Sequence, residues 1–460
     1  MSPGHSDLLW SRARRSPDVE TPARDPALMN PPDGPPALDD LIPPVLTTVE
    51  DSDLDFGFLT DLALKTVYAD TNCTTQRAAE KLAMPIGVVD VLLQHLYREH
   101  FIEIRETLGH HDRRYAMLDR GWERAQRLLD LNAYIGPAPV SLKAYAAMVK
   151  RQEESRPPVD PDAVRAAFAD LVLPDAVLQM LGVVANSHRS VFIMGPSGNG
   201  KTAIARALHA SLGGEIWVPR AIEVNGQIIN LFDSHNHVPI DPQPDVPHDG
   251  RWIKIRRPLV VVGGELTIES MDLTYDRAVR FYEAPFQVKS NGGTLLIDDF
   301  GRQRVLPRDL FNRWIIPLEN RVDYLTLHTG QKVQIPFEQL LVFATNMDSS
   351  DLAEEAFLRR LGYRLTVEPP DPNSYRRIFQ KYAESVGLRH DPQLADGLLA
   401  HYERENREMR GCHPRDLIEH CRDICRYENR SLDLSQDLLE RAWLYYFGTL
   451  QAFGGESPPS

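Results

Sequence analysis

Residues Gly195 to Thr202 read Gly-Pro-Ser-Gly-Asn-Gly-Lys-Thr, the spacing G-x-x-x-x-G-K-[ST]. Glycines so spaced let successive backbone N–H groups curl around phosphate oxygens, and the start of a following helix adds its dipole. Lys201 offers a cation to β- and γ-phosphates, and Thr202 a hydroxyl for Mg2+. The expected nucleotide-contacting set is therefore Gly195, Pro196, Ser197, Gly198, Asn199, Gly200, Lys201, Thr202 and Ala203. A second stretch, "TLLIDDF" (294–300), ends in two carboxylates. Asp298 is suited to hold Mg2+ with Thr202, and Asp299 to orient or deprotonate an attacking water. A third, "LLVFATNMD" (340–348), ends at Asn346, whose amide can position that water against the γ-phosphate. "EEAFLRRLGYRLTV" then supplies Arg359 and Arg360. Adjacent side chains on a helix point different ways, so one of the two is expected at a phosphate. Last, Arg415 follows Pro414 at the first turn of a C-terminal helix.

Positioning these residues requires strands that end where the chemistry begins. "SVFIM" is an apolar strand before the glycines, and "TAIARALHASL" is a helix after them. "TLLI" and "LLVFAT" are continuous apolar runs, the pattern of parallel strands buried on both faces. The expected fold class is therefore α/β over about 162–370. Helix-period segments without strand signals follow over 371–450, from "SYRRIFQKYAESVGL" to "SQDLLERAWLYYF", and are expected to form an all-α lid. About 97 residues separate Lys201 from Asp298, so an insertion is expected at about 219–290, suited to partner contact.

Residues 1–50 contain ten of the 35 prolines, and 1–52 is expected to be a disordered tail, as is 451–460. Residues 53–132 read as three helices, two alternating strands and a closing helix, the order of a winged-helix domain. Such a domain binds DNA or docks protein. The helix "GVVDVLLQHLYREH" carries Asp90 and Glu99 against Arg98, and Arg105, Arg113 and Arg114 form the best basic cluster, which favours protein over DNA. The Pro-bounded segment 133–161 reads as a linker.

A net charge of −14 argues against a general polyanion-binding surface. Cys73, Cys412, Cys421 and Cys425 are too sparse for a disulfide framework, no apolar run is long enough to span a membrane, and no secretory signal pattern opens the chain. A cytoplasmic protein is expected. His235, His237, Asp241 and His248 are irregularly spaced in a Pro-rich loop and read as solvated loop residues rather than metal ligands. Cys421 and Cys425 lie one helical turn apart and read, with neighbouring Cys412, His413 and His420, as lid packing.

Taken together, Gly195–Thr202, Leu295–Asp299, Asn346, Arg359–Arg360 and Arg415 stand in an order that resembles the AAA+ ATPases across roughly residues 165–450. The resemblance implies a P-loop NTPase core of three αβα layers with a helical lid, ATP rather than GTP, and a homo-oligomeric ring. It makes the first two motifs Walker A and Walker B, Asn346 sensor 1, Arg360 or Arg359 an arginine finger acting on a neighbouring subunit, and Arg415 sensor 2. "AFLRRLGYRL" resembles the MoxR-like branch, implying chaperone-like remodelling of a partner. The chain departs from the family in carrying Asp299 where Glu is usual. A carboxylate one methylene shorter leaves two readings open, a working motor or a nucleotide-dependent switch with little hydrolysis.

Overall fold

The computed structural model describes residues 41–109, 112–187, 189–240, 246–347, 362–389 and 391–448. The chain opens with α1 (Phe56–Ala69), α2 (Thr75–Leu82) and α3 (Ile86–Arg98). Asp55 and Thr74 start the first two by accepting from the N–H groups of Phe58 and Arg77. The hairpin β1 (Ile102–Thr107) and β2 (Arg113–Met117) pairs antiparallel, and α4 (Asp119–Leu131) follows. The apolar stripes of these helices close on Leu59, Leu62, Val88, Leu92, Ile102 and Tyr115.

The segment read as a linker is folded. Within it lie β3 (Val140–Ser141) and α5 (Leu142–Glu154). β3 pairs parallel with a strand of the insertion, and α5 buries Tyr145 and Val149. The prolines that suggested a flexible tether bound this helix instead. Residues 41–52 also depart from the expected tail, because Leu41, Leu46 and Val49 are buried. Residues 1–40 and 449–460 lie outside the described residues.

Next come α6 (Pro161–Ala167), α7 (Asp175–Ser187), β4 (Val191–Met194) and α8 (Lys201–Leu212). The expected insertion is a β-rich layer: β5 (Glu215–Pro219), β6 (Ala221–Val224), β7 (Gln227–Asn230), β8 (Trp252–Arg256), then, after β9 (Leu259–Val262), β10 (Thr274–Asp276) and β11 (Phe281–Glu283). One sheet runs β10-β11-β7-β6-β3, and β5 pairs with β8. Following α9 (Phe286–Lys289), β12 (Thr294–Ile297) and α10 (Pro307–Asn320), a hairpin of β13 (Val322–Thr326) and β14 (Lys332–Pro336) joins this layer. Tyr145, Val149, Ile222, Ile229, Tyr282, Leu325 and Ile335 share its core.

The N-terminal helices sit against this layer through a buried ion pair. Arg251 bonds Asp249 (Nη2 to Oδ2, 2.8 Å) and donates through Nη1 to the carbonyls of Pro139 (3.2 Å) and Ser52 (3.4 Å). The N–H of Ala138 donates to Leu82 and that of Ala133 to Val279. The described residues accordingly fall in one unit, Pro36–Ser460.

The main sheet is completed by β15 (Leu340–Thr345) and β16 (Tyr363–Thr366) and has the order β16-β4-β15-β12-β9, every pair parallel. One face packs on Val164, Val184, Ile204 and Leu208 of α6, α7 and α8. The other packs on Leu310, Phe311 and Trp314 of α10. The fold is α/β with a parallel sheet. Four further helices, α11 (Pro372–Ser385), α12 (Pro392–Arg404), α13 (His413–Tyr427) and α14 (Gln436–Phe447), share a separate apolar core that includes Cys421 and Cys425.

Candidate nucleotide-binding site

The chain leaves β4, at one edge of the sheet order's reversal, and returns through β9, β12 and β15 before β16 closes on β4's free side. In parallel sheets a crevice opens beyond the carboxyl ends of the strands where the order reverses. The glycine-rich loop follows β4 there. Gly195 has φ 141°, and a Cβ on it would sit 2.1 Å from the carbonyl oxygen of Val367, so only glycine allows the loop to pass β16 so closely. Gly198 (φ 84°) is pressed against Cys412, just before α13.

Lys201 is buried, and its ammonium donates to Gly195 O (2.9 Å), Pro196 O (2.9 Å) and Asn346 Oδ1 (2.5 Å). Burial lowers its pKa, while Asp299 and Asp298 act in the opposite sense. The Thr202 hydroxyl lies 3.0 Å from both carboxylate oxygens of Asp298. The amide of Asn346 bridges, taking the lysine on its oxygen and donating from Nδ2 to Asp299 Oδ1 at 3.1 Å. Asp299 has φ 47°, a left-handed conformation that short polar side chains tolerate best. Gln303 fixes this bend by donating to the carbonyls of Asp298 (3.0 Å) and Asp299 (3.2 Å).

Lys201, Thr202, Asp298, Asp299 and Asn346 line a cleft of about 980 Å3 together with residues of the C-terminal helical segment. Gly411 donates its N–H to Asn199 Oδ1 (3.0 Å), and Cys412 its N–H to Gly198 O (2.7 Å). Arg415 lines the cleft while pairing with Asp416 (2.9 Å). The structure therefore brings Ser197 to Thr202, Ala203, Asp298, Asp299, Asn346 and Arg415 to one cleft. Arg359 and Arg360 lie outside the described residues.

The donor set fits a magnesium nucleotide. A hydroxyl and a carboxylate in contact are hard oxygen ligands of the kind Mg2+ takes. A buried ammonium held by neutral oxygens, at the start of a helix, is matched to phosphate.

Comparisons with known proteins add little to this geometry. A family model described as a domain of unknown function (DUF8689) matches residues 371–444, which span the four C-terminal helices. No curated protein matches the chain. Among solved structures, the RuvB Holliday junction branch migration motor of Thermotoga maritima is 14% identical, over 60% of this chain and 70% of that one, with a TM-score of 0.36. NtrX from Brucella abortus, in complex with ADP, is 17% identical, over 70% of this chain and 65% of that one, with a TM-score of 0.36. These likenesses are distant.

Two walls of the cleft went unread in the sequence. Residues 169–173 form a strap opposite α11, and Ile378, Lys381, Tyr382 and Ser385 face it. Their i, i+3, i+4, i+7 spacing marks one helix face, but nothing local says what that face looks upon. Elsewhere, His237 is not the solvated loop residue expected. It is buried, accepts from the N–H of Asp233 (3.1 Å) and donates through Nε2 to Lys289 O (2.8 Å), so it pins the insertion. No helix among the described residues is long and apolar enough to cross a membrane.

Proposed function

We propose that this chain is an AAA+-type ATPase that hydrolyses MgATP and works as a homo-oligomer, remodelling a partner macromolecule. The observation that carries the reading is the convergence of Lys201, Thr202–Asp298 and Asn346–Asp299 on one cleft. Mg2+ would be held by Thr202 and Asp298 and would neutralise phosphate charge. Lys201 exchanges its neutral acceptors for phosphate oxygens. Asp299 takes a proton from a water, whose oxygen bonds to the γ-phosphorus as the bond from that phosphorus to the ADP oxygen breaks. Asn346 holds Asp299 in place for that transfer through Nδ2 and, on Lys201's release, offers its oxygen as an acceptor to the attacking water, positioning it against the γ-phosphate. Arg415 ties the lid to the nucleotide, and Arg360 (or Arg359) serves a neighbouring subunit. ATP, the ring and the remodelling role rest on the family resemblance.

The N-terminal helical module is read as the adaptor for a protein partner. Its basic cluster is spent internally: Arg105 pairs with Glu103 (2.7 Å), Arg113 with Asp90 (3.3 Å) and Arg114 with Glu106 (2.9 Å), which leaves little charge for phosphates.

Phosphate release by the purified chain across a range of protein concentrations tests the proposal. Specific activity is expected to climb with concentration, to collapse in Arg360→Ala, and to vanish with nucleotide binding in Lys201→Ala. Nucleotide binding without release at any concentration would instead support the switch reading.

A further inference from the structure

Within the described residues, hydrogen bonds hold the lid to the core at two ends of the cleft. At the phosphate end, the backbone of Gly411 and Cys412 meets Asn199 and Gly198. At the other end, the Lys381 ammonium of α11 donates to the carbonyls of Leu171 (3.0 Å) and Ala169 on the strap. The strap is not part of a helix or strand, and Leu171, Val172 and Leu173 are half-buried against the cleft. Ile378 and Tyr382, beside Lys381 on the same helix face, complete an apolar slot with Leu171, Val172, Leu173 and Ile204. Such an apolar slot suits a flat ring more than a charged group.

We propose that Lys381 is a positioning residue that latches the lid over the base end of the nucleotide cleft. This rests on the nucleotide reading above. An ammonium with three donors can hold two carbonyls at once, and bonds from a charged donor are stronger than neutral ones. Releasing it leaves, of the hydrogen bonds described between the two, those at the phosphate end, so the base wall and α11 separate while the phosphate loop keeps its contacts. The latch therefore acts on recognition of the base and not on the phosphates.

Lys381→Met keeps the aliphatic stem and removes the donors; Lys381→Arg restores donors. Two measurements separate the possibilities. In nucleotide-free protein, amide hydrogen exchange across 169–173 and α11 is expected to quicken in Lys381→Met and to return toward wild type in Lys381→Arg. ATP affinity is expected to fall about tenfold in Lys381→Met, with affinity for inorganic tripolyphosphate and turnover at saturation unchanged. Unchanged exchange, or equal losses for ATP and tripolyphosphate, would overturn the latch and leave the nucleotide reading standing. Wild-type protein that binds neither ligand would overturn both.

Discussion

Lys201 and Asp299 are held by the same amide, that of Asn346, so the cation proposed to meet the phosphate and the acid proposed to activate water are mechanically joined. When phosphate draws Lys201 away, the oxygen of Asn346 is freed while its nitrogen still holds Asp299. The left-handed backbone at Asp299 explains why the shorter acid suits this site: the strain, on the order of 1 kcal/mol, is lower for a short polar side chain. Asp299→Asn preserves shape and the bond from Asn346 but removes the base. Turnover is expected to drop by about a hundredfold or more, with nucleotide affinity little changed, in single-turnover phosphate release. If turnover survives, Asp299 is not the base. The residues proposed to bear this chemistry were picked out in the sequence because each stands at a strand end or a helix start with a spacing of its own. Lys381 was not, since a lysine on an amphipathic helix reads as solvated until its two carbonyl partners, over two hundred positions away in the chain, are known.

At the scale of elements, the buried parallel strands and the lid helices followed directly from apolar runs and 3.6-residue periodicity. The insertion layer did not. Its strands are three to five residues long, and its neighbours come from both sides of the phosphate loop: β3 from the segment before it, β13 and β14 from beyond β12. No local pattern announces a pairing between Val140 and Ile222. Arg251 is the element-scale joint, buried with Asp249 and capped by carbonyls of two other segments. Removing one partner of a buried pair strands the other charge. Arg251→Ala is therefore expected to lose about 3–5 kcal/mol in a denaturant titration, whereas exposed Arg105→Ala, paired at the surface with Glu103, should lose less than about 1. Equal losses would mean the pair carries no special weight.

For the whole molecule, buried neutral histidines set the acid limit. Burial lowers His413 to about 4, and its Nδ1 accepts from Tyr402 Oη at 2.7 Å beside the turn that touches the phosphate loop. His209 in α8 is likewise lowered to about 4 by burial. The unfolded chain binds these protons first, so stability is full above about pH 6.5 and declines as pH falls toward 4. The urea midpoint is expected to drop across that window, and His413→Gln should flatten the drop. A midpoint level from pH 7 to 4.5 would contradict this. The seat of the N-terminal helices has a different consequence, one that concerns synthesis. The helices are complete when residue 131 leaves the ribosome, but β3 waits for β6, about eighty residues later, and the layer waits for β14. A nascent chain thus carries a finished helical module on an unfinished base for the time needed to translate roughly two hundred codons, and the module locks into place only after β12 has emerged.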